Sequence, residues 1–184
     1  DKFRPSEARK ERAPKEKDKT PKSKETLAAI HPQCSDLGKK IEEQLLKSTN
    51  EQLLTRYGFG QLTAEKNQST YTRSDRYAIK RFNIASGHAA GLLQDIQLSL
   101  KVLKRPLKGL HLMELKIEKK RMSLFKLAAS GIRNEMKHFF TKPLTKHPEI
   151  NDRYRDAYRK SQKILALISL ISRNLAKKEK ELES

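Results

Sequence analysis

The stretch Ser74–Leu103, SDRYAIKRFNIASGHAAGLLQDIQLSLKVL, decides the fold. Ser74-Asp75 offers a helix start, and the apolar residues after it fall at Ala78, Phe82, Ala85, Ala89, Leu92, Ile96, Leu100 and Leu103. Steps of three and four place them on one stripe of a long helix, whereas a strand would alternate. A second stripe runs Leu115, Met122, Phe125, Ala129, Ile132, Met136, Phe139, and a third runs Ile150, Tyr154, Ala157, Ser161, Ile164, Ile168, Ile171, Leu175, resuming at Leu182. Between them lie two breaks, KRPLKGLH at 104–111 and TKPLTKHP at 141–148, with Pro148 suited to a first helical position.

Short connections between long stripes make neighbours antiparallel. The expected fold is therefore all-α: an elongated antiparallel up-and-down helical bundle of three long helices. Upstream, Leu37, Ile41, Leu45 and Leu53-Leu54 predict a shorter helix over roughly 35–56, followed by a loop over 57–72. Small residues on the stripes, Ala78, Ala85, Ala89, Ala129, Ala157 and Ser161, permit close helix approach. The expected organisation is a basic disordered tail over 1–25, a short helix and loop over 26–72, and the basic bundle over 73–184.

Charge speaks about partners. The chain has 184 residues, with 41 Lys and Arg against 22 Asp and Glu, a net charge of +19. That excess favours a polyanion, nucleic acid or an anionic membrane surface. Residues 1–25 hold ten basic and six acidic residues with Phe3 as the one large apolar side chain, so nothing there offsets the entropy of ordering. Residues 26–72 are neutral, while 73–148 carry 17 basic residues against five acidic. The excess is thus concentrated in the bundle, and no acid occurs between 96 and 113.

The basic residues are themselves in register. Lys116, Lys119, Lys126, Arg133 and Lys137 recur at steps of 3, 7, 7 and 4 beside the second stripe, and Lys120-Arg121 widens the line. On the third helix Arg155, Arg159 and Lys163 recur every four residues. On the first, Arg73, Arg76, Lys80 and Arg81 stand near the start, and Lys104, Arg105 and Lys108 lead into the basic, leucine-bearing break. Solvated faces normally mix charge signs, so these seventeen residues are the candidate RNA contacts.

Other chemistry is thinly represented. The single Cys34 allows no internal disulfide, and the five histidines (31, 88, 111, 138 and 147) show no metal-ligand spacing. No phosphate-binding or dinucleotide glycine pattern occurs, so no cofactor or small-molecule substrate is expected. The longest mostly apolar run, KILALISLIS at 163–172, is too short to cross a bilayer. The chain opens on Asp1 rather than Met, so a processed protein or a fragment is expected: if processed at Asp1, one of the mitochondrial matrix or another organelle, otherwise a cytoplasmic one.

Two resemblances bear on function. Residues 77–127 resemble the bacterial-type small-subunit ribosomal protein fifteen family. Lys80 and Phe82 match its lysine-phenylalanine segment and Gly87 its glycine turn. Leu93, Ile96, Leu100 and Leu103 match its next helix, and Lys119-Lys120-Arg121 with Met122, Leu124 and Phe125 its basic-then-apolar segment. The family's Ser-Pro-Glu is His88-Ala89-Ala90 here, and its paired histidines are absent, so the resemblance implies ribosomal RNA binding but not its sequence-specific contacts.

The second is RNEMKH, 133–138, which is similar to the Arg-Asn-x-x-x-His motif of HEPN ribonucleases. It implies that Arg133 binds a phosphate, Asn134 orients, and His138 assists proton transfer. The reading carried forward is a non-catalytic RNA-binding component of a ribosome or similar ribonucleoprotein, contacting structured RNA and neighbouring proteins. Its rivals are the ribonuclease and a bundle that binds anionic membrane surfaces.

Overall fold

In a computed structural model the described residues are 43–63 and 70–184. The tail over 1–25, and Leu37 and Ile41 of the upstream helix, lie outside them. Leu45 through Ser184 form one unit. Its helices are α1 (Asn50–Tyr57), α2 (Arg73–Lys104), α3 (Leu112–Thr141) and α4 (Pro148–Glu183), with one 3₁₀ turn at Leu107–Gly109.

Helix ends follow local chemistry. Residues 43–46 are helical, but the chain opens at 47–49 and restarts at Thr49, whose hydroxyl accepts from Gln52 N while the Gln52 side chain caps Thr49 N. The helix expected over 35–56 is therefore interrupted. α2 begins at Thr72 rather than at Ser74-Asp75, because Asp75 lies three residues after Thr72 and closes the same reciprocal box. It ends at Lys104, where Pro106 forces Arg105 into extended backbone (ψ 141°). Pro148 opens α4 as the sequence implied. The turn at Gly87 implied by the ribosomal resemblance is absent, since α2 runs unbroken through it.

The three long helices alternate in direction. Arg81 near the start of α2 pairs with Glu135 near the end of α3, while Ser99 near the end of α2 bonds Glu118 near the start of α3. Lys119 of α3 pairs with Glu179 at the far end of α4 at 2.7 Å. The result is an all-α up-down-up bundle, in which α3 and α4 form the most extensive pair. Small buried side chains on their stripes, Ala129, Ala157 and Ser161, allow that approach.

All eight α2 stripe residues are buried, as are all of α4's through Leu175. On α3, Phe125 and Phe139 are half-buried and pack against the core. Phe82 is fully buried, with Tyr154 edge-on at 5.3 Å, Phe59 at 6.4 Å and the Arg153 guanidinium 5.2 Å above its ring. The buried Tyr154 hydroxyl donates to Ala78 O at 2.5 Å, and burial pushes its pKa above the ordinary value.

The segment after α1 has no sequence periodicity, yet it is built into the bundle. Gly58 must be glycine, because a Cβ there would lie 2.4 Å from Leu54 O. Gly60 takes φ +72°, the left-handed region. Between them Phe59 enters the core. Leu62 exchanges two hydrogen bonds with the Asn83 side chain (2.8 and 3.0 Å), and Ser86 donates to Gly60 O at 2.6 Å.

Asp75 joins α2 to the start of α4. Its carboxylate accepts from Thr72 N at 2.7 Å, bonds the Thr145 hydroxyl, and lies 3.3 Å from His147 Nε2. These hydrogen bonds, that of Thr145 first, hold its pKa below the usual carboxylate value. A depressed folded-state pKa contributes stability above the unfolded pKa, and that contribution is lost as pH falls through the folded value. Asp75→Ala should cost about 1.5–3 kcal/mol near neutrality, the range for bonds to a charged group. Denaturant midpoints compared across pH should show the gap closing below pH ~4. A gap that stays constant down to pH ~2 would refute the assignment.

Candidate nucleic-acid interface

α3 sorts its charges by side. Its acids are Glu114, Glu118 and Glu135, and all three serve the α2 side. Glu114 accepts from Arg105 at 2.6 Å and Glu135 from Arg81. Glu118, buried, accepts from Ser99 at 2.7 Å and from Arg121 at 3.0 Å. The cations occupy other sides. At about 100° per residue, Lys119, Lys126, Arg133 and Lys137 fall within a narrow sector on the edge facing α4. Lys126 and Lys137 are exposed and Arg133 is half-buried.

α4 carries cations on its exposed side. Eighteen residues make five turns, so Arg155 and Arg173 share a direction, with Arg159 and Lys177 one turn beyond each. All four are exposed. The contacts Lys119–Glu179 and Phe140–Tyr158 (ring centroids 5.0 Å apart) mark where α3 and α4 meet. α3 thus carries cations on its α4 side, and α4 carries its own on the side turned to solvent. From 157 to 178 α4 carries no acid.

The candidate residues divide accordingly. Arg73, Arg76, Lys80, Lys104, Lys108, Lys116, Lys120, Lys126, Lys137, Arg159 and Lys163 are exposed, with no ion pair among the described residues. Arg76 and Lys80 border a shallow open depression with Ile79, Asn83 and Ile84. Arg81, Arg105, Lys119, Arg121 and Arg155 each meet a carboxylate, the last at 3.9 Å from Asp152. Arg133 donates to Asn134 Oδ1 at 3.4 Å.

The basic break between α2 and α3 is a closed bundle end. Leu110 is buried and seals it, while Leu107 remains exposed. Lys178 of α4 donates to Leu103 O and to Arg105 O (2.9 Å), a cation on the carbonyls that end α2. Burial lowers its ammonium pKa.

Sequence counting missed two features. Arg173 and Lys177 extend the exposed line of Arg155 and Arg159 on α4, a signal available from the eighteen-residue spacing. Arg153 and Lys160 are structural: they donate to Phe59 O at 2.8 Å and Gly58 O at 3.0 Å, holding the loop after α1.

The RNEMKH segment lies within continuous α3. Five residues there separate Arg133 and His138 by about 140°. His138 is exposed, edge-on to Phe139 at 5.6 Å. Among the described residues no cluster could hold a metal ion, and no helix is long and apolar enough to cross a membrane. No family model matches the chain, and no curated protein or solved structure does.

Proposed function

We propose that this protein is a non-catalytic RNA-binding scaffold, a component of a ribosome or similar ribonucleoprotein that lies along structured RNA through the α3/α4 edge. The observation that carries the reading is the sorting of charge on α3, with acids bonded toward α2 and Lys119, Lys126, Arg133 and Lys137 left on the edge it shares with α4. The line from Lys119 to Lys137 runs about 27 Å at ~1.5 Å per residue, long enough to follow several phosphates. Contacts of this kind give affinity and position, not sequence readout. Neighbouring proteins of the same particle are the other expected partners.

Two measurements test the proposal. Affinity for a structured RNA should fall steeply with salt, by about 0.9 log unit per log unit of salt for each duplex phosphate contact. A flat salt dependence would remove its basis. The ribonuclease reading is tested by incubating labelled single-stranded RNA, without metal, with wild type, Arg133→Ala and His138→Ala. General acid–base assistance is worth ~10²–10⁴-fold, so a nuclease would lose its cutting in both variants. All three proteins are expected to bind RNA and leave it whole.

A further inference from the structure

α3 carries a second apolar line that the core does not use. Met113, Ile117, Leu124 and Leu127 are 67%, 47%, 65% and 71% exposed. Single exposed leucines need no explanation, but four in register on one helix do. Their steps of 4, 7 and 3 are those of a heptad seam, with Lys120 in the remaining position. By helical register the seam lies roughly 130° around α3 from Lys126, Arg133 and Lys137. It is a separate surface from the proposed RNA edge.

We infer that this line is a docking seam for an acidic amphipathic helix of a partner protein. Its shape is one argument: a stripe one side chain wide fits a single helix, whereas an interfacial helix lies in a bilayer on a broad apolar face. Charge is the other. Lys116 and Lys120 lie exposed in or beside the line with no ion pair among the described residues, whereas Arg121 beside them is held by Glu118. The acid that borders it, Glu114, is already taken by Arg105. A second copy of this face would set the same cations against each other. A helix with glutamates flanking its apolar positions would pair with them and set register. At the far end of the seam a Cβ on Gly131 would meet nothing within 4 Å, so a partner backbone can come close there.

The test uses the full chain and two labelled peptides, each about four heptads long, with leucines at the seam positions and glutamates on the flanks, or with the same residues scrambled. Labelled peptide is kept dilute and protein is titrated in. The patterned peptide is expected to bind at least about tenfold more tightly than the scrambled one. Leu124→Gln with Leu127→Gln should erase that difference, while Lys126→Gln with Lys137→Gln should preserve it. Equal binding of both peptides would reduce the seam to bulk charge and overturn the inference. So would binding to phosphatidylserine vesicles that the leucine variant loses while neither peptide is preferred, or a doubled sedimentation mass in wild type that the leucine variant lacks.

Discussion

Phe82→Ala should cost about 3–5 kcal/mol of unfolding free energy, the range for deleting a large buried ring. The side chain is fully buried and is the meeting point of three segments. Tyr154 of α4 packs edge-on against it, Phe59 reaches it from the loop after α1, and Arg153 covers its face. Truncation leaves a cavity, and it removes the surface on which the loop rests. Since Arg153 also donates to Phe59 O, loss of the ring should loosen the loop's hydrogen bonds as well. Denaturant titration followed by circular dichroism gives the loss, and amide exchange gives its distribution. The amides of Gly58–Leu62 are expected to lose more protection than the far end of α2. A cost below ~1 kcal/mol would mean that the packing around Phe82 is not the anchor described.

The same contacts explain what a sequence reading can reach. The stripes of α2 and α4 each run through eight residues up to Leu103 and Leu175, and every one of those residues is buried. α3 carries two apolar lines. Leu115, Met122 and Ile132 face inward, whereas Met113, Ile117, Leu124 and Leu127 repeat as regularly and face out. Periodicity finds both lines, but neighbours decide which is covered. The start of α2 slipped by two residues because Thr72 and Ser74 both carry a capping hydroxyl. The partner three residues on, Asp75, settles the choice.

The loop after α1 was beyond local reasoning altogether. Its partners, Asn83, Ser86, Arg153 and Lys160, come from α2 and α4. Those two cations look in sequence like members of the basic lines. Their role is set by carbonyls that only the folded chain brings to them. Charge counts likewise cannot see that Arg81 and Arg105 hold α2 to α3 through Glu135 and Glu114.

Replacing Lys126, Arg133 and Lys137 together by glutamate should lower affinity for structured RNA by about 10²-fold or more near physiological salt. The magnitude follows from counterion release: at ~0.15 M salt each lost contact removes roughly 0.7 log unit, and three remove about two. Three new negative charges on the same edge add repulsion. The slope of log affinity against log salt should become shallower by about 2.7, an effect that a folding defect would not produce. The bundle should survive, because Lys126 and Lys137 are exposed and such surface changes usually alter stability by no more than ~0.5 kcal/mol each. Arg133, half-buried, bonds its neighbour Asn134 rather than another helix. Reversing Arg73, Arg76 and Lys80 at the start of α2 provides the comparison. Those residues are equally basic, but they lie at the start of α2, away from the line on α3. They should cost less affinity and change the slope less. Equal losses from the two triples would make the footprint diffuse. An affinity within about threefold of wild type, with the slope unchanged, would remove the α3/α4 edge from the proposal.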